Sequence, residues 1–156
     1  MSVLVIGIGN PDRGDDGAGP LVVSRLGKAG VPGLALRSSG GDPADLLAAW
    51  EGKAAVVLVD ACASGSEPGT IHRFDAVDRP LPETFGAVST HGFGLGAAVE
   101  LARAMDALPP ALRVYGIEAA GFAPGAPLSP AVEAAAEAVA DEIARLFGSG
   151  PCTKPA

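Results

Sequence analysis

Short apolar runs that end in glycine, proline or aspartate alternate along this chain with stretches of helical periodicity. Val3 to Ile8 is continuously apolar, rich in β-branched residues, and closes on Gly9-Asn10-Pro11, the pattern of a buried parallel strand entering a turn. Ala54 to Val59, ending at Asp60, predicts a second such strand. Weaker strands are expected at Leu34 to Arg37, Thr70 to Phe74 and Leu112 to Ile117. Between them the periodicity predicts helices over about Gly19 to Lys28, Pro43 to Trp50 and Gly94 to Met105, and a long one from Pro130 to Phe147.

The last helix carries the sharpest pattern. Val132, Ala136, Val139, Ile143 and Leu146 fall on one face, while Glu133, Glu137, Asp141 and Arg145 fall on another. Ser129 stands at its N-cap and Pro130 at a first position that tolerates proline. Strands alternating with helices of this length imply βαβ units. The expected fold is a three-layer α/β domain: a mostly parallel, twisted sheet of about five strands with helices on both faces. The 70–74 segment follows Asp60 by a short loop with no crossover helix, so it should be an antiparallel edge strand.

At 156 residues the chain has the size of one domain, and residues 1–147 are expected to form it, with 148–156 as a flexible C-terminal tail. An apolar fraction of 48% against 19% charged residues argues against a disordered chain. No apolar run approaches the roughly 18 residues that span a bilayer, and the sequence opens directly on a strand without a basic leader. A cytoplasmic protein with no membrane partner is the expectation. Two cysteines, Cys62 and Cys152, are too few for a disulfide framework and are expected to be reduced. The net charge of −7 disfavours binding to a phosphate backbone, since such affinity comes largely from lysine and arginine. A protein or metal-bearing partner fits better, although an acidic surface also serves solubility alone.

In an open α/β sheet the ligand crevice lies at the carboxyl ends of the strands. Asp60 ends the strongest central strand, Asp16 lies between the first strand and the first helix, and His91 leads into the third helix. Two carboxylates and an imidazole would make an anionic mixed-donor site suited to nickel or zinc, with positions left for water or substrate. Taken singly, each residue has a plainer alternative as a helix cap or a solvated loop charge. Gly40-Gly41, with Asp42, follows the second strand and serves equally well as a backbone approach to a ligand or as an ordinary turn with a capping residue. Gly7-Ile8-Gly9-Asn10-Pro11-Asp12 lacks the third glycine of a dinucleotide fingerprint, and Asp12, Asp15 and Asp16 would repel a pyrophosphate. Cys62 is expected to be buried as a small apolar residue, His72 to be solvated on the edge strand, and Ser89 and Thr90 to cap the third helix.

Taken together, Val5-Ile6-Gly7-Ile8-Gly9-Asn10, Gly14-Asp15-Asp16-Gly17-Ala18-Gly19, Val59-Asp60-Ala61 and Ser89-Thr90-His91 with Leu95 resemble the hydrogenase maturation endopeptidases. The similarity extends to Gly116-Ile117-Glu118 and Leu128-Ser129-Pro130. That family removes a short C-terminal extension from the large-subunit precursor of nickel-iron hydrogenase after nickel insertion. The resemblance implies Asp16, Asp60 and His91 as catalytic residues and metal ligands, the family position of Asp16 being Asp or Glu. It implies nickel, which belongs either to the enzyme or to its substrate, with zinc or cadmium as surrogates. It further implies a precursor partner met as a monomer or weak oligomer, and a substrate-facing loop at Gly40, Gly41 and Asp42. Family members commonly carry Asp-Gly-Gly-Thr or Asp-Gly-Gly-Ser there, whereas this chain has Ser39-Gly40-Gly41-Asp42, which bears on the choice of precursor.

Two rivals stand beside this reading. Peptidyl-tRNA hydrolase opens with a similar strand and turn, but would need a tyrosine and an Arg-His-Asn stretch soon afterwards, where this chain has Gly14-Asp15-Asp16, and a basic face, whereas this chain is acidic. A nickel-binding accessory or checkpoint protein would use the same cluster without cutting.

Overall fold

The computed structural model describes residues 2–82 and 94–148. His91, with Ser89 and Thr90, and Cys152 lie outside the described residues. In chain order the elements are β1 (Val3–Ile8), α1 (Ala18–Ala29), β2 (Leu34–Ser39), α2 (Pro43–Trp50), β3 (Ala55–Cys62), β4 (Ile71–Asp75), α3 (Gly94–Ala104), β5 (Ala111–Glu118) and α4 (Pro130–Phe147). The strand order is β2-β1-β3-β5-β4. All pairs are parallel except β4 with β5, so the segment without a crossover helix is the antiparallel edge strand expected of it. One boundary differs from expectation. Asp60 does not end β3, because Asp60, Ala61 and Cys62 find ladder partners in Gly116, Ile117 and Glu118 of β5.

Strand alternation divides the core into two layers. Val5, Val57, Val59, Tyr115 and Ile117 face α1 and α4, where Ala18, Val22, Leu26, Val132, Ala136, Val139 and Ile143 close over them. Leu4, Ile6, Val56, Leu58, Leu112 and Val114 face α2 and α3, meeting Leu46, Trp50, Leu95, Val99 and Ala102. Each large side chain buried in these layers stabilises the fold by about 1.5–3 kcal/mol. Trp50 also satisfies its one polar atom, donating from Nε1 to the Ala107 carbonyl at 3.2 Å.

Glycine sets how closely α1 lies on the sheet. A Cβ at Gly19 would stand 2.5 Å from the Val59 carbonyl oxygen and 2.6 Å from the backbone of Ile8. The helix start therefore rests directly on the ends of β1 and β3. On α4 the apolar stripe departs from expectation at its end: Leu146 is 51% exposed, and Phe147 packs against the layer in its place. At 100° per residue, position 147 falls about 40° from Ile143, whereas 146 falls about 60° away on the other side. Among the described residues no helix is long and apolar enough to cross a membrane.

Candidate active site at the carboxyl edge of the sheet

The chain order reverses between β1 and β3: β1 leads through α1 to β2 on one side, and β2 returns through α2 to β3 on the other. Such a switch point opens a crevice at the carboxyl ends of the strands. Asp16 enters from the loop after β1, and Asp60 sits near the end of β3. Both are buried, at 2% and 8% exposure, in a position where an unpartnered carboxylate would be costly.

The loop that carries Asp16 is built for that purpose. Gly9 has φ 141° and no room for a Cβ beside the Asp16 carbonyl, so the backbone doubles back at a position open to glycine. Asn10 then donates its amide to Asp16 Oδ2 at 2.8 Å, and its own side-chain oxygen accepts from the Asp12 amide at 2.9 Å. A single 3-10 turn, Gly14–Gly17, presents the two adjacent aspartates. They divide the work. Asp15 accepts from the amides of Ala120 (2.8 Å), Gly121 (3.3 Å) and Ser129 (2.7 Å) and from the Ser129 hydroxyl, tying this loop to the segment between β5 and α4. Ser129 stands at the N-cap position of α4, as expected, but its hydroxyl serves Asp15 and makes no cap bond. In the same loop the buried Arg13 Nε lacks a hydrogen-bond partner among the described residues.

Asp60 is strongly altered by its surroundings. Burial, and then the negative charge of Asp16, push its pKa well above the usual carboxylate range, against the opposing hydrogen bond from the Ala61 amide at 2.8 Å. A buried carboxyl whose ionisation is opposed by burial and by a neighbouring charge suits proton transfer, and equally suits a cation that would relieve it.

The Gly40-Gly41-Asp42 loop flanks this edge, since the Gly9 amide donates to the Ser39 carbonyl at 3.0 Å. Asp42 caps α2 by accepting the Asp45 amide at 3.1 Å. Ser39 donates its hydroxyl to Asp45 Oδ2 at 2.8 Å and accepts the Gly41 amide at 3.1 Å, with Gly41 at φ 97°. The capping alternative is thus realised, while Gly40 keeps open space on its Cβ side. The helix α3 runs back toward the start of β5, so its first turn, with Leu95 in the core, lies toward the carboxyl edge.

One expectation needs correcting. His72 is not a solvated edge residue: its side chain is 24% exposed, and Nε2 lies 3.1 Å from Glu118 Oε1. The edge strand has two faces, and His72 and Phe74 take the one turned toward α2 and α3, while Ile71 packs into the opposite layer and Arg73 pairs with Glu142 of α4. Cys62 is buried as expected. Burial, the Glu118 charge and hydrogen bond, and the Asp60 charge push its thiol pKa far up, so it is no ready nucleophile.

A groove lined by Leu47, Trp50, Met105 and Pro110 lies at the opposite, amino edge. It gathers no paired carboxylates, so the chemistry is assigned to the carboxyl edge. Residues 21–146 match the family model described as hydrogenase maturation protease. The chain belongs to this family. As a hydrogenase maturation protease it is a peptide-bond hydrolase, and solved structures of the same kind share its architecture. The nickel-iron hydrogenase maturation protease HycI from Thermococcus kodakarensis KOD1 is 28% identical, with 94% of this chain and 92% of that chain covered and a TM-score of 0.73. HybD from Thermococcus kodakarensis is 26% identical over 94% of this chain and 99% of that chain, with a TM-score of 0.74. The maturating endopeptidase HybD from E. coli, at 24% identity, shares the fold over 92% of this chain and 90% of that chain, with a TM-score of 0.72. A sequence comparison with curated proteins finds no match.

Proposed function

We propose that this maturation protease removes the C-terminal extension of a nickel-iron hydrogenase large-subunit precursor, and that Asp16, Asp60 and His91 recognise the nickel already inserted in that substrate. The observation that carries the reading is the buried Asp60, whose ionised form is disfavoured by burial and by Asp16 until a cation arrives. A nickel ion held by the precursor would supply that cation. Asp60 would then ionise beside Asp16, whereas a substrate without nickel would leave the charged form of Asp60 disfavoured. His91 enters this ligand set from the sequence resemblance and the start of α3.

On this reading Asp16 or Asp60 also handles a proton for the water that attacks the scissile peptide. The Gly40-Gly41-Asp42 loop would line the path of the extension, and its altered flanks would tune which precursor is accepted.

The test is cleavage of a nickel-loaded precursor, followed by intact mass, with Asp60→Asn beside the wild type. The variant keeps an acceptor for the Ala61 amide but cannot form the anion. It should lose activity by about a hundredfold or more, and full activity in Asp60→Asn would remove Asp60 from the machinery.

A further inference from the structure

Past Asp60 on the same face of β3 lies a second group of metal-ligating side chains that the proposed reaction does not use. Cys62 stands opposite Glu118 in the register of β3 and β5. His72 approaches from β4, where it is paired with Gly116, a residue with no side chain to block it. Cys62 Sγ lies 3.6 Å and His72 Nε2 3.1 Å from one atom, Glu118 Oε1. A ligand atom from each of the three residues falls within 4.8 Å of the other two.

Glu118 is only 2% exposed and is held from behind. The Ser64 amide donates to Oε2 at 2.7 Å and the Gly65 amide at 3.2 Å, while the Ser64 hydroxyl donates to Oε1 at 2.7 Å. The Ser64 and Gly65 bonds fix the carboxyl group in place, and a thiol and an imidazole converge on it.

We propose that Cys62, His72 and Glu118 form a binding site for a borderline divalent ion of the zinc or cobalt class, built from different side chains than Asp16 and Asp60. The donor set decides the class. One sulfur, one nitrogen and one oxygen suit zinc-like ions and not magnesium or calcium, and three protein ligands leave one position open. Tetrahedral bonds of about 2.0 Å to nitrogen or oxygen and about 2.3 Å to sulfur place ligand atoms roughly 3.3–3.7 Å apart. The separations from Oε1 already lie near that range. On binding, the thiol proton passes to solvent and the imidazole ligates through the unprotonated Nε2, with its proton on Nδ1. Thiolate and carboxylate then balance the charge of the ion. The backbone amides and hydroxyl on Glu118 provide the supporting shell that such sites need. Because the partly exposed His72 forms the rim, the ion has a route in.

The test uses the full chain carrying Cys152→Ser, so that Cys62 is the only thiol. The chelator-treated protein is titrated with cobalt(II), and the near-ultraviolet thiolate-to-cobalt charge-transfer band is followed. The band should saturate at one cobalt per chain and persist in Asp60→Asn. His72→Ala and Glu118→Gln should each weaken binding at least about tenfold. Absence of the band in the folded Cys152→Ser protein overturns the proposal without need of any further variant. So does a band that survives both His72→Ala and Glu118→Gln undiminished, or one that depends on Asp60. Because the readout is spectroscopic, it is independent of whether any precursor is cleaved.

Discussion

Asp15 Oδ1 accepts the Ser129 amide at 2.7 Å, joining two residues 114 positions apart. Through this contact the loop that presents Asp16 is fastened to the start of α4. Position 15 holds the scaffold and position 16 lies beside Asp60 in the proposed site, although the two are the same residue type side by side.

Replacing Asp15 by alanine would strand the Ala120 and Ser129 amides in a buried setting. The expected cost is about 2–4 kcal/mol, the range for losing several hydrogen bonds to one charged acceptor. For a domain of this size that is a fall in Tm of roughly 5–15 °C by circular dichroism. A Tm within a degree of wild type would show that the clamp contributes nothing.

Asp60→Asn should do the reverse to stability while abolishing cleavage. A carboxyl whose folded pKa is raised favours folding at low pH and loses that contribution as pH rises through the folded value. The neutral variant escapes the cost of burying the anion. Its Tm should therefore match wild type near pH 4 and exceed it increasingly toward pH 8. A variant less stable than wild type at pH 8 would contradict the assigned direction of the shift.

Glu142 on α4 gives the opposite sign. It accepts Arg73 through two nitrogens at 2.9 and 2.7 Å and the Tyr115 hydroxyl at 2.7 Å. The Arg73 hydrogen bond leads the effects that hold its carboxyl at about 2, and burial together with Glu142 raises Tyr115 to about 12. A depressed acid contributes stability above its ordinary value of 4.5 and loses it as pH falls toward 2. Glu142→Gln should cost about 1–3 kcal/mol at pH 7, with the gap to wild type closing between about pH 5 and pH 2. A gap unchanged across that interval would assign the loss to packing.

Much of the fold was legible because parallel strands buried on both faces must be continuously apolar, as Val3 to Ile8 and the run into Asp60 are. The β4 edge followed from the missing crossover helix. That Asp16 comes near Asp60 was legible too, since strand ends at a switch point converge, while His91 lies outside the described residues. What sequence could not carry was pairing at a distance. Whether His72 faces solvent or Glu118 depends on the antiparallel register of β4 against β5, and a shift of one residue would reverse it. Which aspartate of the pair clamps Ala120 and Ser129 depends on a segment more than a hundred residues further on. For the same reason the Ser129 hydroxyl, read as a cap, serves Asp15. The only signal for the Cys62, His72 and Glu118 group was composition, three ligating residue types on strands of unknown order.

The most direct test of the central claim is the intact mass of a hydrogenase large-subunit precursor after incubation with this protein, with nickel-loaded and nickel-free precursors compared. Loss of a C-terminal peptide is expected from the loaded precursor only. Cleavage of both forms alike would contradict recognition of nickel through Asp16, Asp60 and His91. No cleavage of a precursor shown to be loaded, with the protein still bound to it, would contradict the proposed proteolysis and favour a binding-only role.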